Sequence, residues 1–360
     1  MRISPPRVRE LLNAARRSRI LVIGDVMLDQ FIWGKVSRIS PEAPVPVVDF
    51  ERESFVPGGA ANVARNLSAF GAKVELFGAV GSDAAGKQLE QLLKAEAITC
   101  DGLAKLPGRM TTQKSRLIAH QQQIARVDRE TRRDLDAATT DFLLGAIEAR
   151  LRDAQAVVVG DYGKGVITQT LLDELKSLCH ERGVWLSLDP KPAHDLDLTG
   201  LSLLTPNRKE MFELVEKLGG RSFATVESPI QPGSLRGPSV HTQSSSHSGA
   251  ARPDGSVLQA AAKLLEALRP ALLLVTLGDQ GMLLCQRGKE PFHIPTVARA
   301  VFDVSGAGDT VIAAFTLAVA AGSSPVEAAL ISNHAAGVVV GKVGTATVTP
   351  AELIECLSND

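Results

Sequence analysis

Ile20-Leu21-Val22-Ile23-Gly24-Asp25-Val26-Met27-Leu28-Asp29 is an aliphatic run that breaks at a glycine and then delivers two carboxylates. Four apolar residues in a row, mostly β-branched, fit a strand buried on both faces. Comparable runs stand at Val74–Ala79, Ala156–Val159, Trp185–Leu188, Leu201–Leu204 and Leu272–Thr276. Helix-period segments lie between most of them, among them Asn62–Phe70, Gly86–Ala95, Leu171–Arg182 and Leu258–Leu268. This alternation predicts an α/β fold with a mostly parallel central sheet and helices on both faces. Ligands in such folds bind beyond the carboxyl ends of the strands. The residues just after each run are therefore where chemistry is expected.

Composition narrows the class. Aromatics are only 4% of the 360 residues, so the core must come from Val, Leu, Ile and Ala, as in a parallel sheet packed with helices. A net charge of −1 gives no basic groove for nucleic acid. Cys100, Cys179, Cys285 and Cys356 are scattered and form no C-x-x-C pair, the pattern of reduced cytosolic thiols. The arginine-rich start, Met1–Ser18, has no apolar run to act as a signal peptide. Val311–Ala321 is too short to span a bilayer. A soluble, cytoplasmic protein with no membrane partner is expected.

Two stretches break the alternation. Phe31–Phe55 carries Pro41, Pro44 and Pro46, which prevent a helix. Met110–Asp128 reads as two strands around a turn near His120–Gln122. Together, residues 31–55 and 110–128 predict a small β-sheet lid, whose unpaired edges would invite a second copy and so a homodimer. Residues 221–256, rich in Ser, Gly, Pro and Gln, read as a disordered insertion without catalytic role.

Asp303-Val304-Ser305-Gly306-Ala307-Gly308-Asp309-Thr310 opens the apolar helical run Val311–Ala321. Gly306 and Gly308 allow a tight turn and close approach to a ligand. The new helix presents free N–H groups and the positive end of its dipole, a place for a phosphate. Asp309, in the first turn, is placed to take a proton from an alcohol attacking that phosphate. Taken alone, the same residues also suit a plain turn with an acid at a helix start.

This signature resembles that of the ribokinase (PfkB-type) carbohydrate kinases. Val56-Pro57-Gly58-Gly59-Ala60-Ala61-Asn62 resembles the same family's sugar-binding signature, and Gly78-Ala79-Val80-Gly81-Ser82-Asp83 a further family pattern. The three stand in family order, and the resemblance covers roughly residues 18–355. It implies a ribokinase-like kinase domain that uses ATP and Mg²⁺. Asp309 would be the base, with Gly306, Ala307, Gly308 and Lys191 assisting transfer. Asp25, Asp29, Gly58, Gly59 and Asn62 would hold the sugar, although Asp25 suits a turn and Asn62 a helix start equally well. Asn207 and Glu210 of Asn207-Arg208-Lys209-Glu210 would organise Mg²⁺ through water, while the same spacing also makes a helix cap. Thr276, Gly278, Gly281 and Asn333 would face the nucleotide, although Thr276–Gly281 also reads as a hairpin turn. Gly81–Gln88 has the spacing of a phosphate loop, but Gln88 lacks the hydroxyl that would reach Mg²⁺.

Arg38–Val47 resembles the lid segment of heptose 7-phosphate kinases, and Lys191 within Asp189-Pro190-Lys191 suits that subfamily. The implied reaction phosphorylates D-glycero-D-manno-heptose 7-phosphate at the 1-hydroxyl, on the route to ADP-heptose and lipopolysaccharide. Arg38, Arg109, Lys114 and Arg116, with Asp128 beside them, would meet the sugar's own phosphate. Each is also the kind of charge a solvated lid carries. No His-x-Gly-His motif occurs, so a free-standing kinase is expected. Fructose 1-phosphate or tagatose 6-phosphate as substrate, or a silent sugar-binding regulator, are the rival readings. A dinucleotide-binding dehydrogenase is disfavoured, because no Gly-x-Gly-x-x-Gly follows the first strand.

Overall fold

A computed structural model describes residues 3–120, 122–219, 253–298 and 301–358. The elements run α1 (Pro5–Ala15), β1 (Arg19–Gly24), β2 (Val26–Ile39), β3 (Pro46–Gly59), α2 (Ala60–Ala69), β4 (Lys73–Gly81) and α3 (Ala84–Ala95). Next come β5 (Thr99–Leu106), β6 (Thr112–Ala119), β7 (Gln122–Arg129), α4 (Ala137–Leu151), β8 (Ala156–Gly160), α5 (Gln169–Arg182) and β9 (Trp185–Asp189). The chain continues with β10 (Leu203–Leu204), α6 (Arg208–Gly219), α7 (Gly255–Leu268), β11 (Leu272–Thr276), β12 (Met282–Cys285), β13 (Phe292–Ile294), α8 (Ala307–Ala320), α9 (Pro325–Val339) and α10 (Pro350–Ser358).

The main sheet has nine strands in the order β13-β12-β11-β10-β9-β8-β1-β4-β5, parallel except where β12 and β13 turn back at one edge. Side-chain alternation along β1 divides the core. Ile20 and Val22 join α2, α8 and α9 on one face, whereas Leu21 and Ile23 join α4, α5 and α7 on the other. From β1 the chain goes on to β4 on one side, and β8 returns on the other. The crevice between β1 and β8 is thus the switch point at which such sheets bind ligands. Asp25 follows β1 there, and Asp161 and Tyr162 follow β8.

The lid is a separate sheet, β3-β2-β6-β7. It is longer than expected at its root, because β2 begins at Val26 and β3 runs to Gly59. The expected turn at His120 holds, in left-handed backbone at φ 49°. Pro57 fits β3 because that strand is an edge of its sheet. Of the segment 221–256, residues up to 252 lie outside the described residues. Its end is regular: Asp254 caps α7 by accepting from the Val257 amide at 3.0 Å, so Gly255 and Ser256 are helical. Among the described residues, no helix is long and apolar enough to cross a membrane.

Candidate active site

Helix α8 is apolar and buried from Asp309 to Ala318, so its first turn is held rigidly. Asn62 and Asn66, one turn apart on α2, both face that turn. The Asn62 Nδ2 donates to Asp309 Oδ2 at 2.7 Å, and Thr310 Oγ1 donates to Asn66 Oδ1 at 3.0 Å. Gly306 caps α8 at φ +79°, and a Cβ there would stand 2.6 Å from the Asn62 amide nitrogen. A glycine is therefore what allows Asn62 to reach Asp309.

The other Asp309 oxygen accepts from the Tyr162 hydroxyl at 2.5 Å. Burial pushes the Asp309 carboxyl up to about 6, opposed by the hydrogen bonds from Tyr162 and Asn62. Nearby Asp29 adds to the rise, and Lys114 lowers it. A buried carboxylate ionising near 6 is well matched to general-base work at neutral pH.

Asp29 lies on β2, in register with Lys114 on β6, which in turn faces Asp128 on β7. Arg116 donates to Asp29 Oδ1 at 2.6 Å. A Cβ at Gly58 would stand 2.3 Å from Asp29 Oδ2, so the bare glycine leaves room for this carboxylate. Lys114 is half-buried, and desolvation pushes its pKa down. Asp128 is engaged by Arg126 through two bonds, at 2.9 and 3.0 Å.

A cavity of about 440 Å³ opens beside the α8 N-terminus. Ala307, Gly308, Thr276, Gly278, Gly281 and Asn333 all line it, so the residues expected to face a nucleotide share one chamber with the start of α8. The hairpin reading of Thr276–Gly281 holds, since β11 pairs antiparallel with β12 across it. The Asn333 amide donates to the Pro295 carbonyl at 2.8 Å and so fixes one wall.

Several expected contacts lie elsewhere. Asp25 is tied to the loop after β8: it accepts from the backbone amides of Tyr162, Lys164 and Val166 at 2.9–3.0 Å. Arg109 is buried and donates to the carbonyls of Arg133 and Lys164, so it braces that loop. Arg38 is exposed on the far end of β2, nine residues and roughly 30 Å of strand beyond Asp29. It is too distant to share a ligand with Arg116 in one chain. Gly59 caps α2.

Asn207 and Glu210 cap α6 reciprocally. The Asn207 side chain accepts from the Glu210 amide at 2.9 Å, and the Glu210 side chain accepts from the Asn207 amide at 3.0 Å. The second Glu210 oxygen lies 3.8 Å from Lys191 Nζ. Among the described residues, no three acidic, histidine or cysteine side chains converge as a metal cage.

Sequence reasoning missed three side chains here. Tyr162 is the chain's one tyrosine and holds the buried carboxylate. Asp189 accepts from Thr205 Oγ1 at 2.9 Å, and burial with Glu210 and Asp309 nearby raises its pKa well above the usual carboxylate range. Lys164 adds a third cation near Lys114 and pairs with Glu130 at 2.6 Å.

A family profile described as "pfkB family carbohydrate kinase" matches residues 17–352. The chain is 44% identical over 341 residues to the bifunctional protein HldE of Caulobacter vibrioides, covering 94% of this chain and 63% of that protein. It is 41% identical to the bifunctional protein HldE of Desulfatibacillum aliphaticivorans, covering 93% of this chain and 62% of that one. The chain thus spans less than two thirds of the length of these curated relatives. Among solved structures, Escherichia coli phosphofructokinase-2 in complex with substrates and products aligns with TM-score 0.70 at 19% identity, covering 95% and 99% of the two chains. Arabidopsis thaliana ribokinase complexed with ribose and ATP aligns at 0.66 and 19% identity, covering 94% and 98%. At such identities the likeness establishes the fold.

Proposed function

This chain belongs to the pfkB family of carbohydrate kinases, and on that premise we propose that it transfers the γ-phosphoryl group of ATP to the 1-hydroxyl of D-glycero-D-manno-heptose 7-phosphate. The observation that carries the reading is the position of Asp309. It stands between the 440 Å³ cavity at the start of α8 and the Asp29–Lys114–Arg116 set at the lid root. ATP fills that cavity, and the sugar lies against the lid root. Asp309 takes the proton of the attacking hydroxyl. The amides of Gly308 and Asp309 in the first α8 turn face the group in transit, while those of Ala307 and Thr310 donate to the carbonyls of Val304 and Gly306. Mg²⁺, held through water near Asn207 and Glu210 with Lys191 beside them, would neutralise phosphate charge. Closure of the lid excludes water from the transfer.

The choice of heptose 7-phosphate rests on the Arg38–Val47 segment and on the cations at the lid root. Arg116 and Lys164 already pair with Asp29 and Glu130, so Lys114, half-buried between Asp29 and Asp128, is the cation best placed to meet a phosphate carried by the sugar. The test is ADP release with purified heptose 7-phosphate, fructose 1-phosphate and tagatose 6-phosphate. The heptose should give the highest kcat/KM, and Arg116→Ala should raise its KM about tenfold or more while leaving KM for ATP unchanged. Preference for either hexose phosphate would overturn the substrate assignment.

A homodimer through the lid is part of the proposal. Both edge strands of the lid carry exposed apolar side chains, Phe50 on β3 and Val127 on β7, at 65% and 54% exposure. Sedimentation should give twice the 38.1 kDa chain mass. A monomer at micromolar concentration would remove this part.

A further inference from the structure

We propose that Tyr162 is the positioning residue of the catalytic base: its hydroxyl fixes the orientation of the Asp309 carboxylate and keeps it ready to receive the sugar's proton. The proposal rests on the kinase reading above and adds a residue to it. Tyr162 follows β8 at the switch-point crevice. Its own backbone is pinned there, because its amide donates to Asp25 at 2.9 Å, and the next contacts of Asp25 are the amides of Lys164 and Val166. Asp25 thus shapes the loop that delivers the phenol. The phenol reaches Asp309 Oδ1 at 2.5 Å, while Asn62 holds Oδ2 at 2.7 Å. Two donors on two oxygens leave the carboxylate one orientation.

A carboxylate has about four acceptor positions, so each oxygen retains a second lone pair for the incoming hydroxyl. Tyr162 therefore holds the base without blocking it. Burial, and then the nearby carboxylates of Asp309, Asp189 and Asp25, raise the phenol's pKa well above the ordinary value. The phenol remains a neutral donor and never competes for the proton. The other charges facing this pair are Asp29 on β2 and Lys114 on β6. All of these stay in place when only the hydroxyl is removed.

Because Tyr162 is the sole tyrosine, protein made with ¹³Cζ-tyrosine gives one resonance that needs no assignment. That resonance should titrate with a midpoint near 6, following ionisation of Asp309, and should lose that step in Asp309→Asn. Tyr162→Phe should lower kcat about tenfold with KM for ATP unchanged. It should also move the acidic limb of the kcat profile upward by about half to one pH unit, because the carboxylate loses a stabilising donor. A resonance insensitive to pH from 4.5 to 8, or one that keeps the step near 6 unchanged in Asp309→Asn, overturns the proposal. So does an unmoved limb in Tyr162→Phe. If the wild type turns over no sugar at all, the function proposed above fails instead. The resonance needs no substrate and separates the two failures, and it decides the matter even if Tyr162→Phe does not fold.

Discussion

Asp309→Asn is expected to cut kcat by about a hundredfold or more and, above pH 6, to leave the protein at least as stable as the wild type. The first effect follows from the lost base. The amide takes no proton from the attacking hydroxyl, while the cavity, the lid root and the α8 amides remain. The second follows from burial. The Asp309 carboxyl lies near 6 in the folded chain against 3.8 when solvated. The folded state therefore holds this proton more tightly than the unfolded state. Its contribution to stability is fully present below about pH 4 and is lost as pH rises toward 6. Above that the ionised carboxylate costs about 3 kcal/mol. Asparagine removes that cost but can accept through only one oxygen, so Tyr162 and Asn62 are not both served. A net gain of about 1–2 kcal/mol at pH 7.5, vanishing below pH 4, is the expected balance. Thermal melts at the two pH values beside ADP-release kinetics check both parts. Near-normal turnover would remove Asp309 as the base, and a large loss of stability at pH 7.5 would contradict the cost assigned to its charge.

The fold and the site were legible to different extents, for physical reasons. β1, β8 and β9 are buried on both faces and flanked by turns, so their aliphatic runs stand out. β5 did not, because Thr99-Cys100-Asp101-Gly102 mixes polarity at a sheet edge, and β12 is only four residues long. α2 starts two residues before the reading placed it, since Gly59 caps it and Asn62 is spent on Asp309. The glycine-led start of α8 was readable because helix-terminus chemistry is local. What sequence spacing could not show were contacts such as Asn62 with Asp309, which span 247 positions. The bonds of Asp25 and Arg109 were hidden for the same reason: both side chains reach distant backbone groups. One signal did exist for Tyr162. It lies two residues past the end of β8, as Asp25 lies one past β1, at the place where the strand order reverses.

Asp25 separates a sugar ligand from a structural anchor, and Asp25→Ala is expected to destabilise the fold by about 3–6 kcal/mol. Truncation leaves the amides of Tyr162, Lys164 and Val166 facing a hole where a charged acceptor stood, in a site only 1% exposed. Each lost bond to a charged acceptor is worth about 1.5–3 kcal/mol, and partial entry of water keeps the total near the lower end of the sum. Asp25→Asn should lie between, since one oxygen still accepts while the amide nitrogen opposes a backbone N–H. Activity should fall in step with the loop. With 162–166 no longer pinned, the Tyr162 hydroxyl leaves Asp309, and kcat drops more than KM for the sugar rises. Hydrogen exchange at residues 162–166 should accelerate in both variants before any other segment of the sheet responds. Unchanged melting and exchange, with a rise in sugar KM alone, would instead return Asp25 to the role of a sugar ligand.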